Sequence, residues 1–140
     1  MPTSSTINHT SDLSFNEFRT EVLEDFKLAH MSRQCAVIAR KEVLTGKAKF
    51  GIFGDGKEVA QIAMAKAFRP GDWRSGYYRD QTFMFATGMA TPEEFFSQLY
   101  GDTDLDWNPS NGGRSFNNHF GTRYIDEEGN WNPQTRSGNS

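Results

Sequence analysis

A single cysteine, Cys35, stands among 140 residues, so no internal disulfide framework can staple the chain. No apolar run approaches the roughly 18 residues of a membrane-spanning helix. The opening MPTSSTINHTSDLS holds neither Lys nor Arg and no apolar block, and reads as neither a secretory signal nor a mitochondrial presequence. An excess of one charge sign is also missing. Fifteen Lys and Arg face 18 Asp and Glu, for a formal net charge of −3 and a pI near 5.6. That balance gives no general attraction to nucleic acid. The large core-forming residues are few: Leu, Ile, Val and Phe make up 27 of 140 residues, about 19%, which touches the range of unfolded chains. The small net charge argues against disorder, and 12 Phe and three Trp argue for a core. A reducing, cytoplasmic compartment is the expectation, and the sequon at Asn8-His9-Thr10 is then a chance match.

The apolar residues are unevenly spread. Residues 102–140 carry seven of them (Leu105, Trp107, Phe116, Phe120, Tyr124, Ile125 and Trp131) beside seven Asn and five Gly. Such a tail cannot build its own core against the entropy of ordering. It is expected to be mobile, or to pack on something the first hundred residues do not supply. Three regions follow: a disordered segment over 1–13, a helical part over 14–101 and a polar loop segment over 102–140.

Four helices are expected. The first starts after Ser14, with Glu17 three residues on in a capping-box pattern, and runs to about Leu44 before Thr45-Gly46. Phe15, Phe18, Val22, Phe26 and Ala29 fall on one face. The second starts near Glu58 with Val59, Ile62, Ala63 and Ala67 inward, and ends before Arg69-Pro70-Gly71-Asp72, a turn pattern. A short helix covers residues 81–87. The last opens at Thr91-Pro92-Glu93-Glu94, a cap, a proline at the first helical position and acids on the positive end of the dipole, and closes at Gly101. Residues 73–78, rich in aromatics, form the best strand. No second strand is evident to pair with it.

Few motifs carry chemistry by themselves. Gly54-Asp55-Gly56 has the opening of a metal–diphosphate motif, but no Asn follows at 80–90 to complete a Mg²⁺ site. A turn into the second helix is the better reading. Gly51-x-x-Gly54-x-Gly56 has the wrong spacing for a dinucleotide loop. With one Cys and three scattered His there is no zinc set. Tyr77-Tyr78-Arg79-Asp80 ends the expected strand, at the edge where α/β folds bind ligands. Arg79 there can either form a surface ion pair or meet phosphate oxygens in a fork. Gly112-Gly113-Arg114-Ser115 with His119 is either a polar loop or a contact for an anion.

Taken in order, four blocks resemble the α part of the thiamin-dependent first component of 2-oxo acid dehydrogenase complexes. Gly54-x-Gly56-Lys57-Glu58-Val59-Ala60 is similar to the family's Gly-x-Gly-Gln-Glu-Ala, with Lys57 in place of Gln. Arg69-Pro70-Gly71-Asp72-Trp73, Tyr78-Arg79-Asp80 and the stretch from Pro92 through Gly101 follow. The loop Gly113-Arg114-Ser115-Phe116-Asn117-Asn118-His119-Phe120-Gly121 is similar to that of the branched-chain members. The chain most resembles a bacterial form with α and β parts fused.

The resemblance implies an α/β thiamin diphosphate-binding fold, of which this chain is a mostly helical N-terminal portion with about one strand. It implies oxidative decarboxylation of a 2-oxo acid, branched-chain or pyruvate, with acyl transfer to a lipoyl arm. It implies that Tyr78 and Arg79 contact the cofactor diphosphate, that Gln81 and Arg114 lie near substrate and that His119 is catalytic. Mg²⁺ ligands are expected beyond residue 140, so these residues alone are expected to be inactive. The implied partners are a β part, a lipoyl acyltransferase and a 2-oxo acid, in an oligomer without nucleic acid or membrane. Arg74, away from the ligand edge, is expected to be silent in cofactor binding. The rival reading is a non-catalytic helical module that keeps only a subunit-docking surface.

Overall fold

A computed structural model of the chain describes residues 13–69, 72–116, 119–120, 128 and 138–139. The expectation of disorder over 1–13 therefore lies, but for Leu13, outside the described residues. So does the greater part of 121–140.

The first helix, α1, is Phe15–Leu44, and its start is built as the sequence implies. The Ser14 hydroxyl accepts from the Glu17 backbone N–H, and the Glu17 carboxylate accepts from the Ser14 backbone N–H at 2.8 Å. This reciprocal cap satisfies two amides that the helix leaves without partners. The C-terminal half buries Ser32, Cys35, Ala36 and Ala39, small residues that let other helices come close. The N-terminal half is different. Phe15 is 77% exposed, and Phe18, Val22 and Phe26 also face solvent. The apolar face read from the sequence is present, but its first turns are uncovered. The tightly buried part of the helix begins only at Ser32.

Helix α2 is Glu58–Ala67, and here the inward face expected from the sequence is corrected. Only Ile62 of the four residues is buried; Val59 is 81% exposed, and Ala63 and Ala67 are exposed. Glu58 and Gln61 are buried instead. Both polar groups find fixed partners in the interior, as described below. Each partner spares a buried polar group the roughly 1–3 kcal/mol of being left unsatisfied.

Helix α3, Gln81–Ala86, lies at the centre. Its first five residues are all buried, with Thr82 and Met84 at 0% and Phe83 at 1% exposure. It packs against both α1 and α2. To α1 it is joined by a buried hydrogen bond between the Ser32 and Thr82 hydroxyls (2.6 Å). To the α2 side it is joined by the edge-to-face pair Phe68–Phe83, centroids 5.0 Å apart. Helix α4, Pro92–Tyr100, has the expected cap at Thr91 and a left-handed Gly101 (φ 71°) at its end. Phe95 meets Phe53, Phe85 and Phe96, all edge-to-face, and Leu99 completes that side of the core.

The strand is shorter than the 73–78 expected. It is β1, Trp73–Arg74, and it does find a partner, β2 at Gly138–Asn139, in a parallel pairing. The expectation that nothing in the chain pairs with it is thus corrected, although the described structure is mostly helical. The polar tail also reaches the core. Phe120 is 5% exposed and belongs to the main hydrophobic cluster, so at this residue the tail packs on the first hundred. Asn108 is 1% exposed, with its amide donating to the Asp102 carbonyl at 2.9 Å.

Candidate functional site

The segment after β1 turns sharply before entering α3. The turn is held by Asp80, whose backbone N–H donates to the Tyr77 carbonyl at 3.1 Å. Its carboxylate accepts from the Tyr77 N–H (2.8 Å) and from Arg74 Nη1 (3.0 Å). Asp80 occupies the N-cap position of α3 without capping it through its side chain, because that carboxylate is turned back toward the turn. Arg74 is nearly buried, with its side chain 9% exposed, and its guanidinium also lies over the Phe83 ring at 5.5 Å. It is a support of the turn, and the expected remoteness of Arg74 from the Tyr-Arg pair is corrected.

On this turn Tyr77, Tyr78 and Arg79 form one cluster. The two tyrosine rings lie 4.0 Å apart, and their hydroxyls share a hydrogen bond of 2.9 Å. The Arg79 guanidinium lies 5.3 Å from the Tyr77 ring centre and 5.6 Å from that of Tyr78. A cation over an aromatic face is attracted by the ring quadrupole, which restrains the side chain. Arg79 Nε is buried and has no hydrogen-bond partner among the described residues. The hydrogen bond to Tyr77, and then burial, hold the Tyr78 pKa above the ordinary tyrosine value, while Arg79 pulls it the other way. Tyr78 therefore keeps its proton at neutral pH and can donate it.

His119 joins the cluster from the tail. Its imidazole is exposed and lies 5.5 Å from the Tyr77 ring and 6.3 Å from the Tyr78 ring. The buried Phe120 next to it anchors that approach. The structure thus brings together Tyr78, Arg79 and His119, three of the residues singled out in the sequence.

The other two sit differently. Gln81 is 1% exposed, and both ends of its amide are engaged. Its oxygen accepts from the Gly54 N–H at 3.2 Å and its nitrogen donates to the Ser32 carbonyl at 3.0 Å. Arg114 is exposed, and its guanidinium donates to the Asn111 carbonyl of its own loop at 3.1 Å.

Beneath the turn, Gly54-Asp55-Gly56 forms the entry to α2, as the turn reading anticipates. Gly56 adopts φ 90°, and the Lys57 N–H donates to the Gly54 carbonyl at 3.2 Å. Glu58 receives a two-pronged contact from Arg33 (2.6 and 2.8 Å) and the Gly56 N–H. Arg33 above all lowers the Glu58 pKa from 4.5 to about 2, against the opposing effect of burial. Gly54 is buried with its Cα against the Arg79 carbonyl, and a Cβ at that position would overlap the carbonyl oxygen.

Sequence reasoning passed over Gln61 and gave Asp80, Gly54 and Arg74 no supporting role in this site. The signals were faint: an acid three residues after Tyr77, and a Gln one turn after Glu58 on α2. Among the described residues no group of three His, Cys, Asp or Glu is placed to hold a metal ion. No helix among them is long and apolar enough to cross a membrane.

No solved structure matches the chain. The family model of the dehydrogenase E1 component matches residues 26–135, a stretch that takes in all of the Tyr77–Arg79 cluster and His119, and the chain belongs to that family of thiamin diphosphate-dependent 2-oxo acid dehydrogenases.

Proposed function

We propose that Tyr78 and Arg79 form the binding edge for the diphosphate of thiamin diphosphate, in an E1 enzyme that oxidatively decarboxylates a 2-oxo acid. The observation that carries this reading is Arg79. A buried guanidinium N–H with no partner among the described residues is costly, and an anion beside the turn would satisfy it. Stacking on two tyrosine rings limits the directions in which that guanidinium can point. The Tyr78 hydroxyl, kept protonated, adds a donor on the same side. Bound there, the cofactor supplies the electron sink for loss of carbon dioxide. The chain's own part is positioning: two donors hold an anion where the reaction needs it. His119 is the proposed catalytic residue, an exposed imidazole able to hold or release a proton beside the cluster. Arg114, on its exposed loop, is proposed to meet the substrate, and Gln81 to act from below the turn.

The Tyr78–Arg79 edge fits the anionic end of the cofactor, and no group among the described residues fits its metal. Mg²⁺ ligands would come from outside the residues given, as would the β part, and residues 1–140 alone are proposed to be inactive. The parallel β1–β2 pairing supports an α/β thiamin-binding fold, because parallel strands need crossover connections of the α/β kind. The substrate leaning, toward branched-chain 2-oxo acids ahead of pyruvate, rests on the Gly113-Arg114…His119 pattern. The domain reading keeps 14–101 as the helical part of the thiamin-binding domain and 102–140 as a loop segment.

The uncovered face of α1 favours a second element of the reading. Phe15, Phe18, Val22 and Phe26 form an exposed apolar stripe. Below it an apolar hollow of about 270 Å³ opens between Phe26 and Ala29 of α1 and Val59, Ile62 and Ala63 of α2. Such a face suits docking to the β part in an oligomer, and a lipoyl acyltransferase is the further partner proposed. The test is thiamin-dependent carbon dioxide release by the assembled enzyme, compared between 2-oxoisovalerate and pyruvate. Release from the branched-chain acid at higher kcat/KM supports the full reading. Release from neither acid contradicts the catalytic one and leaves the docking module.

A further inference from the structure

We infer that Gln61 is a positioning residue for Arg79, acting through the backbone of the turn. This rests on the reading of Arg79 as a diphosphate ligand. Gln61 is 6% exposed, on the inner face of α2, and its amide spans the junction between the turn and α3. Its Nε2 donates to the Arg79 carbonyl at 2.9 Å, and its Oε1 accepts from the Phe83 N–H at 3.1 Å. The Phe83 contact is buried and the Arg79 contact part-buried, so water can replace little of what a lost amide would give. On the other side of the same carbonyl, Gly54 leaves no room for a side chain. Its N–H is fixed by Gln81, which is in turn fixed to Ser32 of α1. The Arg79 carbonyl is therefore held between an amide donor and a bare glycine.

The consequence concerns direction. Arg79 has several rotatable bonds, and stacking on two tyrosine rings restrains only the far end. A Gln61 amide that pins the carbonyl fixes the near end. With both ends set, the buried Nε–H points one way, and little side-chain entropy is left to lose when an anion binds. Losing the Gln61 donor frees the carbonyl and relaxes the turn without removing any charge from the site.

The experiment is a double-mutant cycle on the assembled enzyme, read by calorimetric titration with thiamin diphosphate at fixed Mg²⁺. The variants are Gln61→Met, Arg79→Ala and the pair, with melting curves to establish that each is folded. Gln61→Asn is the gentler companion: it keeps an amide but is one methylene too short to hold both partners, and it serves where Gln61→Met does not fold. The expected result is a roughly 3- to 10-fold loss of affinity for either Gln61 variant, the worth of about one hydrogen bond. In the Arg79→Ala background the same change should alter affinity by less than about 2-fold, since the residue it acts through is gone. An equal loss in both backgrounds would show a merely structural role and overturn the inference. Wild-type affinity for both Gln61 variants, with Arg79→Ala weakened, would also overturn it while leaving the Arg79 reading intact. Wild-type affinity for Arg79→Ala would remove that reading and the inference with it.

Discussion

Arg74 and Asp80 are joined by an ion pair of 3.0 Å across the turn that carries Tyr78 and Arg79, with the Arg74 side chain only 9% exposed. The same Asp80 oxygen accepts from the Tyr77 N–H, so a single carboxylate ties β1 to the turn. Arg74→Ala should therefore destabilise the fold. Stranding one member of a buried pair costs about 3–5 kcal/mol, and the 22% exposure of Asp80 places this case at or below the lower figure. Urea denaturation is the measurement, and a midpoint equal to wild type would contradict the assigned role.

Acid stability turns on Glu58. Its folded-state pKa is lowered to about 2, first by Arg33, from an ordinary 4.5. A lowered pKa means that the native state holds its proton less tightly than the unfolded state does. The contribution is fully present above pH 4.5 and is lost as pH falls toward 2. At about 1.4 kcal/mol per unit, the shift sets a ceiling of roughly 3.5 kcal/mol. Wild type should lose melting temperature steeply across that window. Glu58→Gln should start lower at neutral pH and show a flatter profile there; parallel profiles would refute the linkage.

The tyrosine pair makes a spectroscopic prediction. Tyr78 ionises above the ordinary tyrosine value, chiefly because of the Tyr77 hydroxyl. Tyr77→Phe removes that group and should bring the Tyr78 pKa down, with Arg79 left to favour the phenolate. NMR titration of labelled tyrosine reads this directly. An unchanged Tyr78 pKa would mean that the two hydroxyls are not coupled.

Much of the helical framework was legible because its signals are local. The Ser14–Glu17 box, the Thr91-Pro92 start and the Gly101 stop each depend on residues within one turn, and each stands where the sequence puts it. The errors lie where long-range partners decide. Val59 is apolar and exposed while Gln61 is polar and buried, because Gln61 has the Arg79 carbonyl and the Phe83 N–H to bond. No periodicity rule contains that information. The face of α1 at Phe15 and Phe18 was legible as apolar, but whether anything covers it depends on the rest of the fold. In the site, residue types left Arg79 and His119 open between surface and ligand roles, and the family resemblance singled out Tyr78, Arg79 and His119. Their meeting depends on a contact between positions about 40 residues apart, and the supports Gly54, Gln61 and Asp80 depend on backbone geometry that composition does not reveal.

The central claim is that Arg79 binds the cofactor diphosphate, and calorimetric titration of the assembled enzyme with thiamin diphosphate at fixed Mg²⁺ tests it most directly. Arg79→Ala should lose about 10- to 150-fold in affinity, the worth of hydrogen bonds to a charged group at roughly 1.5–3 kcal/mol. Arg79→Lys should recover only part of this, because an ammonium keeps the charge and loses the fork. Arg19→Ala, at an exposed position on α1, is the control and should bind as wild type does. Equal affinity for wild type and Arg79→Ala would contradict the account.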